Sequence, residues 1–111
     1  MTTPLHLRQS EGEFQDAIIE YAQARGWLVH AERPARSDKG WRTPVQGDVG
    51  FPDLVLARNG WLFIWELKAQ KSRLSDTQAQ WIRAISPMKM LVPIARIVRP
   101  SDWPWIEEVL S

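Results

Sequence analysis

At 111 residues, with 44% hydrophobic and 24% charged side chains, the chain is sized for one domain around one core and is not compositionally disordered. The absence of cysteine excludes disulfides, thiolate metal sites and a cysteine nucleophile. A formal net charge of +1 announces no polyanion in bulk, no apolar run approaches the roughly eighteen residues of a membrane span, and no charged-then-apolar leader opens the chain; the expected setting is cytoplasmic, without membrane contact.

In chain order, residues 1–9 are expected to form a tail and residues 10–111 a single domain. Ser10-Glu11-Gly12-Glu13 has capping-box spacing, and Phe14, Ala17, Ile18, Tyr21 and Arg25 recur with helical period until Gly26 stops the helix. Trp27 to Ala31 is a short β-prone run. Residues 33–51 then form a long connection rich in proline and glycine, of a length that is usually functional or partly disordered in so small a domain. Two strands follow, over 53–58 and 61–68, and Asn59-Gly60 between them signals a tight hairpin. Ser75-Asp76-Thr77-Gln78 repeats the capping-box pattern and starts a helix to about Ile85, which Ser86-Pro87 ends. Leu91 to Val98 reads as a last strand, and Ser101 is expected to cap a C-terminal helix whose first turn tolerates Pro104. The order α-β-β-β-α-β-α predicts an α/β fold, a mixed, hairpin-bearing sheet flanked by helices rather than a doubly wound nucleotide fold.

Chemistry concentrates at the ends of the hairpin strands. Gly50-Phe51-Pro52-Asp53 opens one, and Glu66-Leu67-Lys68 closes the other, thirteen residues after Asp53. Alternation puts Glu66 and Lys68 on one face with Leu62 and Ile64, and Phe63, Trp65 and Leu67 on the other. Asp53 can meet Glu66 across the hairpin, and two carboxylates that close repel unless a cation lies between them. With a backbone carbonyl, that of Leu67 being the candidate, they form a hard oxygen site suited to Mg²⁺ or Mn²⁺. The plain alternative is a salt bridge from Lys68 to Glu66 or Asp53 at a strand edge. No small-molecule cofactor is indicated, and His6 and His30 have no zinc spacing.

These residues carry a resemblance. The chain resembles the VRR-NUC type within the PD-(D/E)xK nuclease superfamily in Ser10-Glu11, Phe14-Gln15 and Gly26-Trp27. The match continues through Gly50-Phe51-Pro52-Asp53-Leu54-Val55-Leu56, Glu66-Leu67-Lys68, Leu74-Ser75 with Gln78 and Trp81, and Arg99-Pro100-Ser101-Asp102-Trp103. The resemblance implies a restriction-endonuclease-like fold and a Mg²⁺- or Mn²⁺-dependent endonuclease that hydrolyses DNA phosphodiesters. It further implies branched or Holliday-junction substrates, or nicking of duplexes, by a homodimer. Asp53 and Glu66 would be catalytic metal ligands. Lys68 would position or deprotonate the attacking water, or stabilise charge developing on phosphorus.

Such nucleases often add an acid from the first helix. Glu11 falls on the helix face of Phe14 and Ile18 whereas Glu13 does not, so Glu11 is the expected further ligand and Glu13 the capping partner. Gln78 is either a catalytic-site amide or the cap of Ser75. Gln15 lies at the edge of the buried face. Arg33, Arg36, Lys39, Arg42, Lys71 and Arg73 are expected to contact DNA phosphates, contacts that position without reading sequence. Of seven tryptophans, most, Trp65 and Trp81 included, are expected in the core, with Trp41 either stacking on a base or anchoring its loop. The rival readings are a non-catalytic nucleic-acid-binding module of the same fold and a phosphoesterase acting on small nucleotides.

Overall fold

The computed structural model describes residues 5–31, 35–37, 40–42, 45–86 and 94–111. A 3₁₀ turn (Leu5–Arg8) leads into α1 (Glu11–Ala24). Both halves of the α1 capping box form, Glu13 N–H donating to Ser10 Oγ and Ser10 N–H to Glu13 Oε1, each at 3.1 Å. Gly26, at φ +83°, turns the chain out of the helix where a side chain would be strained. The chain continues through β1 (Leu28–Ala31), β2 (Ala35–Ser37), β3 (Gly40–Arg42), β4 (Leu54–Arg58), β5 (Trp61–Leu67), α2 (Asp76–Ile85), β6 (Ala95–Val98), a 3₁₀ turn (Pro100–Asp102) and α3 (Trp103–Leu110).

The result is an α/β fold on a four-stranded mixed sheet in the order β1-β4-β5-β6. β1, β4 and β5 run antiparallel in turn, and β6 lies parallel to β5. Asn59 and Gly60 both take positive φ, 49° and 84°, as the tight β4–β5 turn requires. One sheet face is dry. Leu54, Leu56, Phe63, Trp65, Leu67 and Val98 pack there against Phe14, Ile18 and Ala22 of α1 and Ile106 and Leu110 of α3. At the hairpin end Arg58 stacks over Trp27 and donates to the carbonyls of Arg25, Leu110 and Ser111, tying the ends of both helices to the sheet. On the opposite face Leu28 and Leu62, toward the hairpin turn, stand exposed. Among the described residues, no helix is long and apolar enough to cross a membrane.

Three expectations are corrected. The 33–51 connection contains a small antiparallel ladder, β2 with β3, whose three-residue strands are too short to show alternation. Ser101 does not cap the last helix; it sits inside the 3₁₀ turn, and Asp102 precedes α3 instead. Trp81 is not central core. It lies half-buried on α2 against Phe51. The expected strand 91–98 is seen as β6 from Ala95, and 91–93 lie outside the described residues.

The asymmetry of the sheet is measurable. Leu56→Ala, on the dry face, is expected to cost about 2–5 kcal/mol in urea unfolding. Leu62→Ala, 41% exposed on the other face, is expected to change stability by no more than about 0.5 kcal/mol.

Candidate metal centre

The approach to Asp53 is held by α2. Gly50 takes φ +97°, and a Cβ there would come within 2.7 Å of the Thr77 carbonyl carbon, so only glycine lets this segment lie against the first turn of the helix. Phe51 meets Trp81 edge-on with ring centroids 5.1 Å apart, and Trp81 Nε1 donates to the Val49 carbonyl at 3.1 Å. Pro52 is buried and fixes the step into β4. Asp53 is therefore delivered at the head of the strand rather than on a loose loop.

The β4–β5 register pairs Leu54 with Trp65, which sets Asp53 beside Glu66 one step further along. Asp53 Oδ2 accepts the Leu67 N–H at 2.9 Å. Glu66, on the face opposite the dry core, is only 1% exposed, yet neither of its carboxyl oxygens has a hydrogen-bond donor. Burial first, and the neighbouring Asp53 charge second, push the Glu66 carboxyl up to about 8. Once protonated, Glu66 can donate to Asp53. Burial likewise raises Asp53, against the opposing pull of the Leu67 amide. Lys68, itself buried, brings Nζ to 3.9 Å from Glu66 Oε1 and 3.6 Å from Glu11 Oε1. Its backbone N–H donates to the Val98 carbonyl at 3.0 Å, continuing the parallel ladder just past β5.

Of the residues expected here, the fold brings together Glu11, Asp53, Glu66, Leu67 and Lys68. Leu67 enters through its amide. Glu11 is half-exposed and ion-paired with Lys68, whereas Glu13 is exposed and kept low by its Ser10 hydrogen bonds. Gln78 Oε1 accepts the Ser75 N–H at 2.9 Å, so the capping role is the one its hydrogen bond displays. Gln15 is buried on α1. Lys71 and Arg73 are exposed in the segment after Lys68. Arg33 and Lys39, and the side chains of Arg36, Trp41 and Arg42, lie outside the described residues. Sequence reasoning did not foresee why Gly50 must be glycine, or that the Arg99 side chain reaches the turn after Lys68. Both depend on contacts distant in sequence.

Among the described residues no cluster of three or more His, Cys, Asp or Glu side chains is shaped to hold a metal. The two carboxyls of Asp53 and Glu66 nevertheless fit a hard cation that keeps several waters, since such ions are often held by one or two carboxylates. The two orphaned oxygens of Glu66 are the groups such an ion would satisfy. No family model, curated protein or solved structure matches the chain.

The raised Glu66 carboxyl has a stability signature. Its value in the fold, about 8 against an ordinary 4.5, means that the folded chain binds the extra proton. Stability is therefore complete below the ordinary value and is lost as pH rises through the folded one. Metal-free protein is expected to lose melting temperature from acid to mildly alkaline pH, at roughly 4–8 °C per kcal/mol. Glu66→Gln is expected to flatten that fall. Mn²⁺ is expected to raise the alkaline melting temperature of the wild type and not of the variant.

Proposed function

We propose that this chain is a divalent-metal-dependent DNA endonuclease of the VRR-NUC type, its sheet and helices being a restriction-endonuclease-like PD-(D/E)xK fold. The observation that carries the reading is the Glu66 carboxyl, buried without a donor beside Asp53 and within 3.9 Å of the Lys68 ammonium. A purely structural salt bridge would leave no reason to bury a second carboxyl against the first, because the pair destabilises the metal-free fold. The order of motifs along the chain, from Ser10-Glu11 to Arg99-Pro100, supports the same reading.

Asp53 and Glu66 would hold Mg²⁺ or Mn²⁺, with Glu11 at the rim and the Leu67 backbone beside them. The ion, when bound, supplies Lewis acidity that polarises the phosphate and acidifies the attacking water. Asp53 is oriented for this by the Leu67 N–H, so little reorganisation is needed. Lys68 would donate to the attacking water and to the phosphoryl oxygens as negative charge grows there. Its contacts with Glu11 and Glu66 hold the ammonium in place. Water oxygen bonds to phosphorus, the ester P–O bond breaks, and the products are a phosphomonoester and a free hydroxyl. The exposed Lys71 and Arg73 suit a backbone recognised by shape, and a two-fold homodimer would set two such sites on opposite strands of a junction.

Supercoiled plasmid and a labelled four-way junction, incubated with Mn²⁺, Mg²⁺ or EDTA, test the reading. The wild type is expected to cut with either ion and not in EDTA. Asp53→Ala and Lys68→Ala are expected to lose at least about 10²-fold in rate, with Lys68→Ala still binding DNA. Metal-independent binding without cleavage under any ion would instead make the chain a nucleic-acid-binding module.

A further inference from the structure

The turn after Lys68 is built around a guanidinium that the proposed chemistry does not use. Ser72 N–H donates to the Ala69 carbonyl at 3.1 Å, closing a turn that carries Lys71, with Arg73 just beyond it. Arg99 Nη1 faces the carbonyls of that turn, donating to Ala69 at 2.7 Å and Ser72 at 2.8 Å, with Gln70 at 3.4 Å. Gln70 and Ser101 fasten the same turn twice, Gln70 Nε2 to Ser101 Oγ and Ser101 N–H to Gln70 Oε1, each at 3.0 Å. Arg99 is itself fixed by its N–H, which donates to Asp102 Oδ2 at 2.8 Å.

Like Arg58, which serves the carbonyls of Arg25, Leu110 and Ser111, Arg99 spends its charge on backbone oxygens rather than on a carboxylate. Arg96 pairs with Asp102 at 3.4 Å and Lys68 with Glu11 at 3.6 Å. Among the described residues, neither Arg99, Lys71 nor Arg73 has a carboxylate partner. A guanidinium stays charged at any relevant pH, and its rigid plane fixes the directions of the Nη1 hydrogens, whereas the donors of an ammonium turn freely on a flexible stem. The carbonyl oxygens that would repel a phosphate are turned onto Arg99, and Lys71 and Arg73 are exposed to solvent. Lys71 follows Lys68 by three residues, on the segment that leaves the end of β5 where the carboxyl pair sits.

We propose that Arg99 is a positioning residue for polyanion binding: by gripping the carbonyls of the 69–72 turn it fixes Lys71 and Arg73 against the phosphates of a DNA strand crossing the Asp53–Glu66 site. The proposal rests on the nuclease reading for the identity of the polyanion. It adds a role for a residue that touches neither metal nor phosphate.

Binding of a labelled DNA duplex in EDTA, measured over a series of salt concentrations, tests it, with wild-type Mn²⁺-dependent plasmid cleavage run in parallel. Lys71→Ala/Arg73→Ala is expected to reduce the salt slope by about 2, one unit for each lost phosphate contact. Arg99→Gln is expected to lose a comparable part of that slope, Arg99→Lys to recover little of it, and Arg99→Gln added to the double variant to lose nothing more. Gln70→Ala, which loosens the same turn without removing a charge, is expected to weaken binding in the same direction and serves if Arg99→Gln fails to fold. An unchanged slope in Arg99→Gln and unchanged binding in Gln70→Ala would overturn the proposal. So would full rescue by Arg99→Lys, or a further loss beyond the double variant, since either makes Arg99 a direct charge contact. A wild type that cuts plasmid while these variants bind normally refutes this inference alone. A wild type that binds duplex as expected but never cuts refutes the nuclease reading alone.

Discussion

Two carboxyls meet where the β4–β5 hairpin closes, one of them almost wholly removed from water and without a donor to either oxygen. Burying an ionised carboxylate is expensive unless it is paired or bound to a metal, and burying it against a second one is more so. Lys68 offsets part of that repulsion but is shared with Glu11. Protonation of Glu66 relieves the rest and is itself a cost near neutral pH, where the same carboxyl would be ionised in the unfolded chain. The surrounding structure is best understood as what holds this unfavourable pair in register.

Three supports converge on it. The core-side helices clamp the sheet from one face, and α1 also delivers Glu11 to the end of β5. From the other side α2 grips the segment before Asp53, through the close approach of Gly50 to Thr77 and the Phe51–Trp81 contact. The turn after Lys68 is tied down by Arg99 and Ser101. Each support uses rigid elements, which is how a buried polar site keeps its geometry.

What the sequence made legible was what short-range physics decides. Ser10 with Glu13 and Ser75 with Gln78 form both capping boxes, and Asn59-Gly60 forms the turn, because each needs only residues within a few positions of one another. Period-two alternation along β5 correctly separated Glu66 from Trp65 and Leu67, and the tight turn set the register that places Asp53 beside Glu66. The face of α1 that carries Phe14 and Ile18 also located Glu11 near Lys68. Illegible features depend on partners far along the chain. Arg99 binds a turn about thirty residues earlier, and Gly50 is constrained by Thr77. Asp102 bonds the Arg99 amide, which draws Ser101 into the 3₁₀ turn rather than a cap. No local pattern encodes these, because hydrogen-bond propensity says that a polar group needs a partner without saying which.

As proposed, the Asp53–Glu66 pair is a cation site. Calorimetric titration of Mn²⁺ into metal-free protein near neutral pH, repeated in buffers of different ionisation enthalpy, addresses it most directly. Saturable binding with net proton release is expected, because Glu66 must give up its proton to the solvent when the ion arrives. Loss of that binding is expected in Asp53→Asn and in Glu66→Gln. No saturable binding by folded wild-type protein, or binding unaltered in both variants, would contradict a cation site there.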